Sequence, residues 1–149
     1  MWIEAKIEAE IKAAIETLRE REKKAFGPRH GKADFYEYLG GVFQLYSHWR
    51  ADGKSKERAR QVASIYELKL RRNSHPIRAI IDASSEQKPD VKSRWTRALE
   101  FARKHRSKVA KVGLAHFLES NGGVDGCARQ IANKSPKKAK AKVVTRAAA

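Results

Sequence analysis

Residues 3–25 read IEAKIEAEIKAAIETLREREKKA, and this stretch decides the fold class. Ile3, Ile7, Ile11, Ile15 and Leu18 recur at four- and three-residue spacing between Glu and Lys, which lines one face of a helix with apolar side chains and charges the other. Glu8 to Lys12 and Glu20 to Lys24 are oriented to support that helix at i, i+4. Gly27-Pro28 stops it. One apolar stripe needs a packing partner, and it has two choices: the rest of the same chain, or a second copy in a homodimer. The spacing drifts from a strict heptad, so an extended coiled coil is the weaker form of the dimer.

Working outward, each later segment keeps the helical period. Asp34-Phe35-Tyr36-Glu37 pairs an acidic N-cap with a Glu three residues on and predicts a helix to about Arg50, closed by Asp52-Gly53. Phe35, Tyr36, Tyr38, Phe43, Tyr46 and Trp49 concentrate half of the chain's aromatic residues here, and Gly40-Gly41 inside the helix predicts close approach of another backbone. This segment is read as core or subunit interface, with Ile7, Ile11, Tyr46 and Trp49 as the interface residues.

Ser55 is the N-cap of a third helix to about Arg72, with Ala59, Val62, Ala63, Tyr66 and Leu70 inside and Lys56, Arg60 and Arg71 outside. Ser74-His75-Pro76 opens a short fourth helix, with Ser74 as cap and Ile77, Ile80 and Ile81 inside. Pro89-Asp90 starts a fifth helix to about His105. Its buried side is Val91, Trp95, Ala98, Leu99 and Ala102. An adjoining face carries Arg94, Arg97, Phe101, Lys104 and Lys108 if the helix continues that far. Val112–Asn121 and Val124–Asn133 complete the set, and KKAKAKVVTRAAA after Pro136 is a low-complexity tail expected to be disordered until bound. The expected fold is all-α with about seven helices.

The charge is uneven. Residues 1–53 hold nine basic and nine acidic side chains, whereas 54–149 hold 24 basic and eight acidic and so carry the whole +16. Three parts follow: a neutral helical packing or dimerisation segment over 1–53, a basic helical domain over 54–133, and the cationic tail over 134–149. A basic surface built from separated helices plus a tail suits successive phosphates. The residues assigned to nucleic-acid contact are Lys56, Arg60, Arg71, Arg72, Arg94, Arg97, Lys104 and Lys108, with Lys137, Lys138, Lys140 and Lys142 adding mobile contacts. Arg94 and Arg97 are the first candidates for reading guanine edges.

Catalytic patterns do not emerge. His30, His48, His75, His105 and His116 are scattered without metal spacing, and no glycine loop is followed by Lys-Ser/Thr. Asp82, Glu86 and Asp90 are the acids nearest the basic segments, but they straddle a break in the helical pattern. No metal site, cofactor or enzymatic activity is expected. Cys127, the single cysteine, rules out an intramolecular disulfide and reads as a small core residue, which suits a reducing compartment. No apolar run approaches the roughly 20 residues of a membrane span.

Residues 118–132, LESNGGVDGCARQIA, resemble the first part of a helix-turn-helix of the factor-for-inversion-like variety: Asn-Gly-Gly leads into a helix with small residues at the crossing. The resemblance covers about a tenth of the chain and departs where a recognition helix should follow the next turn, since only the Lys/Ala tail lies there. The tail is similar in composition to those of linker-histone-like proteins. The expectation is a non-enzymatic, cytoplasmic and nucleoid-associated binder of double-stranded DNA, acting as a small transcriptional regulator or nucleoid factor. An RNA-binding protein, and an adaptor or inhibitor docking through its aromatic N-terminal helices, are the alternatives.

Overall fold

A computed structural model of the chain describes residues 4–27, 31–69 and 74–133, with side chains to Ile131. Expectations that fall on Ile3, on Leu70, Arg71 and Arg72, and on the tail lysines Lys137, Lys138, Lys140 and Lys142 lie outside the described residues. The protein is all-α. Eight helices lie among the described residues: α1 (Ala5–Ala25), α2 (Lys32–Ala51), α3 (Ser55–Ile65), α4 (Pro76–Ser84), α5 (Pro89–Lys104), α6 (Arg106–Val112), α7 (Leu114–Ser120) and α8 (Gly123–Asn133). They fall into two compact units, Met1–Lys92 and Ser93–Ala149. The charge division at residue 53 is one of composition, and helices from both sides of it belong to the first unit.

In the first unit the stripe of α1 finds its partner within the same chain. Ile11, Ile15 and Leu18 are buried with Tyr38, Leu39, Val42, Tyr46 and Trp49 of α2, Val62 of α3, and Ile77, Ile80 and Ile81 of α4. Each large apolar side chain so buried contributes about 1.5–3 kcal/mol. Ile11, Tyr46 and Trp49 therefore have no surface left for a second copy or a docking partner, which corrects their assignment as interface residues. Ile7, one turn nearer the N-terminus, is half-buried. The α1–α2 crossing depends on Gly41, where an added Cβ would stand 2.6 Å from both Leu18 Cδ2 and Arg21 Nη1. What approaches Gly41 is side chain, not the backbone expected, and Gly40 faces open space.

Local capping differs from expectation by small register shifts. Helix α2 starts three residues early: Gly31 is its N-cap, and Asp34 sits at the third helical position, accepting from the Gly31 N–H at 3.3 Å. Helix α4 is capped by His75, not Ser74; the His75 Nδ1 accepts from the Ile77 N–H at 3.1 Å, and Pro76 fills the first position. Burial pushes the His75 imidazole down to about 4, with Arg50 adding to the effect, so at neutral pH the ring keeps the lone pair that capping needs.

Helix α3 ends at Ile65, well before Arg72. Glu67 adopts φ 53° and the Leu68 N–H reaches the Ala63 carbonyl at 2.9 Å, a Schellman closure without glycine. The following residues are fair helix formers, so local propensity does not end the helix there. The turn coincides instead with the Tyr66 ring lying under the Arg19 guanidinium at 4.7 Å. Arg19 also donates from Nε to the Ala83 carbonyl at 2.9 Å, satisfying an acceptor at the C-terminal end of α4, so one arginine ties three helices together. Ser84 Oγ donates to the Ile80 carbonyl at 2.7 Å and receives the buried Tyr38 hydroxyl at 2.7 Å.

In the second unit Trp95, Ala98, Leu99 and Ala102 are buried, as the period of α5 predicts. Phe101 is buried too, so the expected cationic face of Arg94, Arg97, Phe101, Lys104 and Lys108 is interrupted by an inward aromatic. The α5 helix stops at Lys104, and Lys108 lies on α6, a helix the sequence reading did not separate. At the break the His105 ring packs against Phe101 at 4.7 Å and Phe117 at 5.7 Å. Helices α7 and α8 meet through Asn121-Gly122. A Cβ at Gly126 would lie 2.7 Å from the Asn121 carbonyl oxygen, and Cys127 is fully buried beside it. Burial pushes the thiol up to about 11, which fits its expected role as a core residue.

Candidate nucleic-acid interface

The assigned cations occupy three distinct settings. Lys56 and Arg60 lie one turn apart on α3 in the first unit, both exposed, with Arg60 Nε donating to the Lys56 carbonyl at 3.4 Å. Lys104 and Lys108 are exposed at the end of α5 and on α6. Arg94 and Arg97 are half-buried on α5 and face α8, where they share a cleft of about 290 Å³ with Asp125, Ala128 and Arg129.

Pairing separates the units as net charge does. In the first unit Glu8–Lys12, Glu16–Arg19, Glu37–Arg21, Asp34–Lys24, Glu57–Lys54 and Asp82–Arg78 ion pairs lie between 3.0 and 3.8 Å, and Lys92 adds a second cation to Asp82 at 3.3 Å. Of the expected pair Glu20 to Lys24, Lys24 reaches Asp34 of α2. Asp82, one of the three acids nearest the basic segments, is thus spoken for by Arg78 and Lys92, and no group of three His, Cys, Asp or Glu among the described residues is arranged around a metal position.

The second unit holds 14 basic and three acidic residues, a net +11. Eight of these cations fall among its described residues. Arg94 pairs with Asp125 at 3.2 Å, whereas Arg97, Arg103, Lys104, Arg106, Lys108, Lys111 and Arg129 make no ion pair within 4 Å among the described residues. Glu100 lies near Lys104 and Arg97, whose charges pull its carboxyl down against the upward push of burial, the larger of the two effects, but it forms no ion pair with either within 4 Å. Arg106, Lys108 and Lys111 stand exposed on α6, where Val109 is the buried residue.

Sequence reasoning missed α6 as an element and Arg129 as a site residue. Residues 106–112 carry too few apolar positions to show a period, so only the break at His105 separates them from α5. Arg129 had a legible signal: it stands four residues after Asp125 on a helix whose Cys127 and Ala128 point inward. No helix among the described residues is long and apolar enough to cross a membrane. No protein-family model matches the chain, and no curated protein and no solved structure matches it either.

Proposed function

We propose that the protein is a non-enzymatic binder of double-stranded DNA, acting as a small transcriptional regulator or nucleoid-associated factor in the cytoplasm. The single observation that carries this reading is the set of seven second-unit cations left without an ion-pair partner among the described residues. Holding seven such side chains on a small helical unit raises its self-repulsion, and a polyphosphate relieves it. Lys104, Arg106, Lys108 and Lys111 would take backbone phosphates, Lys56 and Arg60 would add contacts from α3, and the tail lysines Lys137, Lys138, Lys140 and Lys142 would extend the contact along the duplex. The tight turn between α7 and α8 is compatible with the helix-turn-helix resemblance, and a homodimer on a symmetric site would pair through a surface other than the one that buries Ile11, Tyr46 and Trp49.

The test is binding of the full chain to a short duplex across a range of salt concentrations. About six to ten phosphate contacts give a slope of log K against log salt near −5 to −9. A flat response rejects the reading. Competition by duplex RNA that equals or exceeds duplex DNA moves the function to RNA.

A further inference from the structure

We infer that the cleft between α5 and α8 is a seat for one backbone phosphate, formed by Arg94, Arg97 and Arg129, and that Asp125 sits in it as a built-in competitor for that phosphate. This deepens the nucleic-acid reading and rests on it.

The geometry follows from spacing. Arg94 and Arg97 are three apart on α5, and Asp125 and Arg129 are four apart on α8, so each pair shares one helix face. Ala128 lies in the wall between them and is too small to fill the space, which leaves the cleft of about 290 Å³. That volume is at the lower end for small-molecule pockets and suits a phosphate with its waters better than a cofactor. Three guanidiniums lining one small space repel each other unless an anion joins them, and guanidinium is the group that grips phosphate through paired N–H donors.

Asp125 supplies the only carboxylate in the lining among the described residues and balances one charge of the three. Its Oδ1 accepts from Arg94 Nη1 at 3.2 Å, with the two side chains 62% and 39% exposed. An exposed pair of this kind is weak, worth about fivefold or less in an equilibrium, so a phosphate can displace it. Arg97 keeps its Nε buried without an acceptor, and Arg129 is exposed and unpaired among the described residues. Two of the three guanidiniums are thus unspent, and the third is held by an acid that must yield when phosphate arrives. The pairing lowers affinity at every sequence and restrains the rest of the unit from clamping any polyanion it meets.

The experiment compares the full-length wild type, Asp125→Asn and Arg129→Ala for duplex DNA affinity over a salt series, with inorganic phosphate titrated separately. Asn keeps an acceptor for Arg94 while removing the charge. Asp125→Asn is expected to bind about fivefold tighter, with a salt slope steeper by about one, and Arg129→Ala to bind weaker with a slope shallower by about one. Thermal unfolding of both variants confirms the fold, since Asp125 also stands in the first turn of α8, where an acid favours the helix. Unchanged or weaker binding by folded Asp125→Asn, or unchanged binding by folded Arg129→Ala, overturns the inference while steep wild-type binding leaves the DNA reading intact. Inorganic phosphate binding that depends on Arg129, with duplex affinity unaffected by its loss, gives the seat to a free phosphate and also overturns it. Absence of wild-type binding to the duplex removes both readings together.

Discussion

The two units use the same side chains in opposite ways. Over residues 1–92 the chain has 19 basic and 14 acidic residues, and Lys12, Arg19, Arg21, Lys24, Lys54, Arg78 and Lys92 are tied to carboxylates across and along helices; over 93–149 it has 14 and three. In the first unit Arg19, Lys24 and Arg78 act as fasteners. In the second, Lys104, Arg106, Lys108 and Lys111 fasten nothing among the described residues. A lysine's presence therefore says little about its job until its partner is known. The same net charge would mean a solvated surface if paired and a ligand surface if bare.

The largest expected effect breaks the comparison directly. Replacing Lys104, Arg106, Lys108 and Lys111 with Ala together should lower duplex affinity by about 10²–10³-fold at low salt and flatten the salt slope by about four. The fold should survive, because these side chains are exposed. Equal loss from replacing the paired Lys12, Lys24 and Lys54 of the first unit would erase the distinction.

Next in size, Gly41→Val forces a side chain into the α1–α2 crossing, and chemical denaturation should show a loss of about 2–3 kcal/mol. A neutral result would mean that α1 is not held against α2 there.

The first unit should also respond to acid through His75. Its imidazole binds a proton less readily when folded, near 4, than when unfolded, near 6.5. The unfolded state therefore holds more protons between those values, and stability is full above about pH 6.5 and falls as the pH drops toward 4. Allowing for the partial exposure of the ring, the loss is about 1–2 kcal/mol. His75→Asn, which caps without titrating, should flatten that part of the pH profile.

A milder change follows from Tyr38→Phe. Burial raises the Tyr38 phenol well above its usual range, so it acts as a neutral donor to Ser84 Oγ. Ser84 keeps its bond to the Ile80 carbonyl when that donor is removed, and the cost should be about 1 kcal/mol in denaturation. Smallest of all, Lys12→Ala on the exposed Glu8 pair should change stability by about 0.5 kcal/mol or less.

Much of the fold was legible because burial follows period. Ile11, Ile15, Leu18, Leu39, Val42, Ile77, Ile80, Ile81 and Leu99 are all interior, each at the position its spacing assigns. Less was legible in the site. Arg94 read as a free cation until Asp125, 31 residues away, was found beside it. Arg129 carried no site assignment from its sequence, and α8 brings it to the cleft that Arg94 and Arg97 line. Tyr46 and Trp49 read equally well as core or interface, and their burial within one chain settled the matter.

The string of residues by itself determined that the chain is helical, where most helices begin, which faces turn inward and which segments hold excess cation. These depend on neighbours within one or two turns, and such neighbours are fixed by spacing. Tertiary structure alone decided that the α1 stripe closes on its own chain, that α5 breaks at His105 between Phe101 and Phe117, and which basic groups are neutralised. An ion pair or a ring contact depends on distance in space. Two residues far apart in sequence acquire that distance only when the helices carrying them pack.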